Sequence, residues 1–269
     1  MAKKVGLVLD RLNFNQEKMK RPFYLIARNP NSVEEAVACL AAGANALEPD
    51  VFFIDNDFYI MDIAPLWSKL LTTPKKGPRL ADYLTELQFV IRASQDSKNP
   101  LRLARILFDI KNLSPFDLNQ LFAVVRSSFS LPGVALGVTT RNRKQVGSFN
   151  HFVPKDERET VGLDGGYSAK DAHDFFKEIR MNYTYASGPT EPLASSTTRD
   201  YFIEIMTAIR FRDSSSAVKP NQVYAWTVNS KDSMRTYLSL GVDGFTTDKI
   251  EDALSVIAEP EFAGKFVLA

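Results

Sequence analysis

Across 269 residues the chain is 45% hydrophobic and 24% charged, the makeup of an ordinary water-soluble globular protein with enough length to bury a large core. Its 33 basic and 32 acidic side chains leave a net charge of +1, which excludes a global field that would draw nucleic acid or an anionic membrane. A single cysteine, Cys39, rules out an internal disulfide, no stretch approaches the roughly 20 apolar residues of a membrane span, and the opening MAKKVGLVLD lacks the cleavage pattern of a secretory leader, so the expectation is a cytoplasmic protein.

The first apolar run, 24–27, breaks into Arg28, Asn29, Pro30 and Asn31 where it should leave a core. A helix follows: Ser32 and Glu35 have capping-box spacing, Val33, Ala36, Val37 and Leu40 lie on one helical face, and Gly43 supplies the stop. A second apolar run, 46–53, completes a strand–helix–strand unit of the kind that builds parallel sheets. The alternation continues with strands expected at 106–110, 134–138, 161–163, 182–185, 223–228 and 244–246, and helices at 80–92, 115–128, 142–148, 169–179, 199–211, 231–239 and 249–257. The stretches 70–79 (LLTTPKKGPR) and 188–198 (GPTEPLASSTT) read as loops. Eight strands, each followed by a helix, predict an α/β fold of the closed (β/α)8 TIM-barrel type, with residues 1–269 forming one domain. A doubly wound open sheet is the alternative, but it would want a glycine-rich phosphate loop after the first strand, and ARNPNS has no glycine.

In a barrel the carboxyl ends of the strands build the site, so polar residues there carry the functional argument. Strand two, LEPDVFF, puts Glu48 and Asp50 two residues apart and so on one face. Strand three ends LFDIKN, where Asp109 and Lys111 again share a face, and strand seven, VYAWTVN, does the same with Tyr224 and Trp226. One buried strand carboxylate is usually a salt-bridge partner. Three converging on one mouth make a hard-oxygen site for Mg²⁺, with Ca²⁺ or Mn²⁺ as alternatives, and no thiolate or imidazole favours zinc.

The motifs GANALEPDVFF, LFDIKN and VYAWTVNSKDSMRTYLSLGVDGFTTD resemble the glycerophosphodiester phosphodiesterase superfamily, closest to its sphingomyelinase D-like phospholipases D. The resemblance runs from about Tyr24 to the closing FAGKFVLA and is weakest over 115–198, although VGLDGG has a counterpart. It implies a Mg²⁺ held by Glu48, Asp50 and Asp109, a phosphate contact from Lys111, and a pocket lined by Tyr224 and Trp226. Asp164, in VGLDGG, is expected near that pocket.

The same family is described as using two histidines, one as nucleophile and one as acid. Their places are taken here by Arg28, after strand one, and Asp62, in FYIMDIAP. Of the chain's two histidines, His173 falls in a helical pattern and His151 follows the helix expected over 142–148; neither is at a carboxyl strand end, and surface or capping roles are expected for both. Arg28 stays protonated and can bind an anion but cannot act as a base, whereas Asp62 can move protons if burial raises its pKa. The bland alternative is an Arg28–Asp62 salt bridge across an emptied pocket. Asn229 and Asp248 stand where the family commonly has Asp and Asn, and Cys39 is expected in the core. The reading is a divergent Mg²⁺-dependent phospholipase D-like lyase, cyclase or hydrolase for a small anionic phosphate- or diphosphate-bearing substrate, without the two-histidine mechanism. Its alternatives are a metal-binding pseudoenzyme, or a barrel recruited for a non-phosphate cyclisation or lyase step in small-molecule biosynthesis.

Overall fold

The computed structural model describes residues 20–61, 77–111, 117–142, 145–188 and 198–269. Strand β1 (Arg21–Arg28) leads into helix α1 (Val33–Ala41), whose capping box forms as its spacing predicts: Ser32 Oγ accepts from the Glu35 amide at 3.2 Å, and Glu35 Oε2 accepts from the Ser32 amide at 3.1 Å. Gly43 follows with φ +106°, a conformation that favours glycine.

The predicted second strand is broken at Pro49, which has no N–H to give a ladder, into β2 (Ala46–Glu48) and β3 (Asp50–Ile54). β3 then turns back as an antiparallel hairpin with β4 (Asp57–Ile60), through Asp55 and Asn56 with φ of +51° and +60°, an arrangement the strand assignment did not foresee. Helix α2 (Leu80–Ser94), strand β5 (Arg105–Ile110), helix α3 (Leu118–Ser128) and strand β6 (Ala135–Thr140) follow. The next segment is a 3₁₀ turn at Val146–His151, not the α-helix expected over 142–148. Then come β7 (Glu159–Asp164), α4 (Ala169–Glu178), β8 (Tyr183–Ser187), α5 (Thr198–Arg212), β9 (Pro220–Ala225), α6 (Lys231–Leu240), β10 (Gly244–Thr247) and α7 (Ile250–Ile257).

β1 pairs in parallel with both β2 and β10, and every intervening neighbour in the ring β2–β5–β6–β7–β8–β9–β10 is parallel too. The sheet is closed, a (β/α)8 barrel. A last short strand, β11 (Phe266–Leu268), lies beside the start of β1, and Asn45 ties the two together by donating to the carbonyls of Phe23 at 3.0 Å and Ala269 at 3.2 Å.

Alternation along β5 shows how the barrel sorts its side chains. Ile106, Phe108 and Ile110 point outward into the core shared with the helices, whereas Leu107 points inward, where Ile26, Ala46, Ala186, Tyr224 and Trp226 fill the barrel's middle. Arg105 lies in the same interior. It is 1% exposed, donates to Tyr224 Oη at 3.1 Å and Thr160 Oγ1 at 2.7 Å, and sits 5.4 Å from the centre of the Tyr24 ring. A buried guanidinium is tolerated only while such partners remain. Tyr224→Phe, which keeps the ring but removes the acceptor for Arg105, is expected to lower unfolding free energy by about 1–3 kcal/mol in urea titrations.

His173 is buried in α4, not at the surface: its ring stacks on Phe211 with centroids 4.1 Å apart, and Nδ1 lies 3.3 Å from Tyr183 Oη. Burial lowers its pKa below the ordinary value, against the opposing pull of Asp174. The folded protein therefore resists protonation there while the unfolded chain accepts a proton near pH 6.5, so stability is lost as pH falls below about 6.5. His173→Phe is expected to flatten that loss in chemical denaturation measured from pH 7 down to 5.

Candidate active site

Arg28 is the last residue of β1, and the loop after it is pinned on several sides. The Asn29 amide donates to Glu48 O at 3.0 Å, Asn31 Oδ1 accepts from the Asp50 amide at 2.9 Å, and Tyr83 Oη donates to Pro30 O at 2.9 Å. Among the described residues the Arg28 guanidinium pairs with Asp248, at 3.6 Å, with both side chains more than a third exposed. Such a contact is worth about 0–1 kcal/mol and leaves the cation available to a ligand.

Around the barrel axis, Glu48, Asp109 and Asp164 come from the ends of β2, β5 and β7, and one carboxylate oxygen from each lies within 4.8 Å of the others. All three are buried. Asp50, beside Asp109 in the β3–β5 register, meets Lys111 Nζ at 3.2 Å, and the same ammonium also touches the Asp109 carboxylate. Arg141, just past β6, brings its Nε to 3.3 Å from Asp164 Oδ2 and lays its guanidinium 3.9 Å from the centre of the Trp226 ring. Gly165 also packs against that indole: with φ +47°, it would place a Cβ 2.5 Å from the ring. A cavity of about 80 Å³ opens here, lined by Arg28, Glu48, Asp109, Lys111, Arg141 and Trp226.

The electrostatics follow from crowding. Burial, then Asp109 and Asp164, push the Glu48 carboxyl up to about 8. Burial also raises Asp164, to about 6, although Arg141 pulls the other way. For Lys111, burial opposes the charge, but Asp109 and Asp50 outweigh it and hold the pKa above its ordinary value. Arg141 is likewise held above its ordinary value, its burial outweighed by Asp164, Asp109 and Glu48. Fully ionised, the four buried carboxylates would outnumber the Lys111 and Arg141 cations beside them by two, and the raised pKa values of Glu48 and Asp164 register that excess. That excess suits a divalent cation, and an all-oxygen donor set suits a hard one.

A family model described as dermonecrotic toxin SPH matches residues 136–269. A dermonecrotic toxin from Loxosceles spinulosa is 26% identical, the match covering 91% of this chain and 96% of the toxin, and one from Hemiscorpius lepturus is 27% identical over 95% and 84%. These matches support a place in the glycerophosphodiester phosphodiesterase superfamily, on its sphingomyelinase D-like side. Solved barrels share its fold: a phosphodiesterase from Oleispira antarctica, crystallised with its product sn-glycerol-3-phosphate, has a TM-score of 0.59 at 13% identity, covering 87% of this chain and 96% of its own. A glycerophosphodiester phosphodiesterase from Parabacteroides distasonis has 0.55 at 19%, covering 88% and 98%.

In this barrel, Arg28, Glu48, Asp109, Lys111 and Trp226 all line the one cavity. Asp164 lies just beneath, bound to Arg141. Tyr224 sits deeper, fully buried against Arg105, and away from the cavity lining. Asn229 stands to one side: its Nδ2 donates to Asp248 Oδ2 at 2.8 Å, and its Oδ1 accepts from the Asp248 amide at 2.9 Å and from Thr247 Oγ1 at 3.0 Å. Arg28 thus pairs with Asp248, whereas Asp62 lies outside the described residues. The sequence pattern passes over Arg141, because it ends the fourth strand at Val138, whereas β6 runs to Thr140. The signal was the one used for Arg28, a cation at the carboxyl end of a buried strand.

The Gly165 contact predicts its own test. Gly165→Ala forces a left-handed alanine against the indole, and is expected to cost about 1–3 kcal/mol and to shift Trp226 fluorescence in a Trp67→Phe background.

Proposed function

We propose that the protein is a divalent-metal-dependent enzyme acting on a small phosphate- or diphosphate-bearing substrate, in an elimination, cyclisation or hydrolysis step that does not use paired histidines. The observation that carries this reading is the convergence of a buried carboxylate cluster with Lys111, Arg141 and Arg28 on one cavity at the mouth of a barrel of this superfamily. Carboxylates gathered so closely are unfavourable without a cation, and three positive groups beside them form a receptor for an anion.

Glu48 and Asp109, with Asp50 or Asp164, supply the oxygens for Mg²⁺, with Ca²⁺ or Mn²⁺ as alternatives. A bound divalent ion would polarise a phosphoryl oxygen and stabilise a departing phosphate. Lys111, fixed between Asp50 and Asp109, offers its remaining N–H bonds to the substrate anion. Arg141 is held flat on Trp226, which limits its freedom before a ligand arrives. Arg28, loosely paired with Asp248, closes on the anion from the β1 side. The buried indole N–H of Trp226 has no partner among the described residues and can donate to a ligand acceptor.

Both histidines of the chain are placed away from this cavity, His173 stacked inside α4 and His151 at the end of the 3₁₀ turn. Proton transfer therefore falls to a carboxyl group, for which Asp62, in the segment after β4, is our candidate.

A panel of phosphodiesters and diphosphate esters, followed by mass spectrometry with Mg²⁺ or with EDTA, tests the reading. Turnover is expected with Mg²⁺ only, and Lys111→Met is expected to reduce kcat/KM by about 10²–10³-fold. Stoichiometric Mg²⁺ binding with no turnover of any panel member would instead make the protein a metal-holding binding module.

A further inference from the structure

We infer that Asp248 is a positioning residue for Arg28: fixed beside the mouth by Asn229, it is the counter-ion that Arg28 leaves when an anion enters. This rests on the reading that the mouth binds a phosphate-bearing anion, and it gives a role to two residues, Asp248 and Asn229, that stand outside the cavity lining.

Asp248 is held by a neutral neighbour. Asn229 Nδ2 donates to Asp248 Oδ2 at 2.8 Å, while Asn229 Oδ1 accepts from the Asp248 amide at 2.9 Å and from Thr247 Oγ1 at 3.0 Å. Thr247 is fully buried, and its Oγ1 accepts from the Lys249 amide at 2.9 Å. Backbone and carboxylate of Asp248 are therefore anchored to one amide side chain. The Ala27–Thr247 register between β1 and β10 ends one residue short of Arg28 and Asp248, which brings the two side by side.

The cation is held far more loosely. Arg28 Nη1 lies 3.6 Å from Asp248 Oδ2, longer than a hydrogen bond, and both side chains are more than a third exposed. Arg28 lines the cavity that Lys111 and Arg141 share, whereas Asp248 lines a separate hollow with Ala38 and Cys39 of α1 and the first turn of α7. The guanidinium thus stands between a fixed carboxylate on one side and the mouth on the other. It carries five N–H donors, and an oxyanion at the mouth gains them by breaking one loose, solvent-screened contact. Asp248 acts on the anion through Arg28, and the hold it keeps on the guanidinium sets part of the anion's affinity.

Calorimetric titration of the full chain with inorganic phosphate, with Mg²⁺ in excess, tests this coupling as a double-mutant cycle. The wild type is expected to bind phosphate. Arg28→Gln is expected to raise the Kd by about tenfold or more, and Asp248→Asn to lower it by about two- to fivefold. In the Arg28→Gln background, Asp248→Asn is expected to change the Kd by less than about 1.5-fold. Circular dichroism establishes that each variant is folded, and Asp248→Ser replaces Asp248→Asn where the latter is not. Tightening of equal size in both backgrounds, or weaker binding by Asp248→Asn, overturns the inference, as does an Arg28→Gln protein that binds phosphate like the wild type; the anion-binding reading survives each of these. A wild type that binds no phosphate overturns both.

Discussion

Four carboxylates buried within reach of one another at the end of a barrel repel, and the neighbouring side chains are arranged to contain that repulsion. Lys111 lies against two of them and Arg141 against a third. Arg141 needs a surface to lie on, and Trp226 supplies it; Trp226 needs room, and Gly165 leaves it. The loop after β1 is pinned to Glu48 and Asp50 by backbone and Asn31 contacts, which carries Arg28 to the rim. Even so, the charges do not balance from within, and the barrel wall, whose strands are locked on both sides, holds the groups in place despite the cost.

The barrel's interior is graded along its axis. Arg105 occupies the amino-terminal end of β5, Leu107 the middle and Asp109 the carboxyl end, all from one alternating face. Cation and acid are thus separated by an apolar plug, which keeps Arg105 from neutralising the mouth. Its partners are neutral hydroxyls and aromatic rings.

The fold was legible because its signals are local and repeated: eight apolar runs, a capping box that forms as spaced, and helices whose inward faces follow the 3.6-residue period. What escaped depends on backbone events that periodicity does not report. Pro49 splits an apolar run that otherwise reads as one strand, and Asp55 and Asn56 then adopt left-handed conformations that begin a hairpin. At the site, residue type and face identified Glu48, Asp109, Lys111 and Trp226, while the Asp164–Arg141 pair belongs to two strands with no sequence link between them. The partner of Arg28 is Asp248, 220 positions away along the chain (248 − 28) yet adjacent across the β1–β10 seam that closes the barrel.

The packed middle of the barrel also governs traffic. Ile26, Leu107, Ala186 and Tyr224 fill the space beneath the Trp226 ring, and β11 runs beside β1 at the amino-terminal end. Among the described residues this packing fills the barrel axis, so a ligand at the mouth would enter and leave by the same side. Under the proposed function, occupancy by an outgoing molecule and access for an incoming one would be mutually exclusive, and the grip of Lys111, Arg141 and Arg28 on an anion would limit how quickly the doorway is cleared.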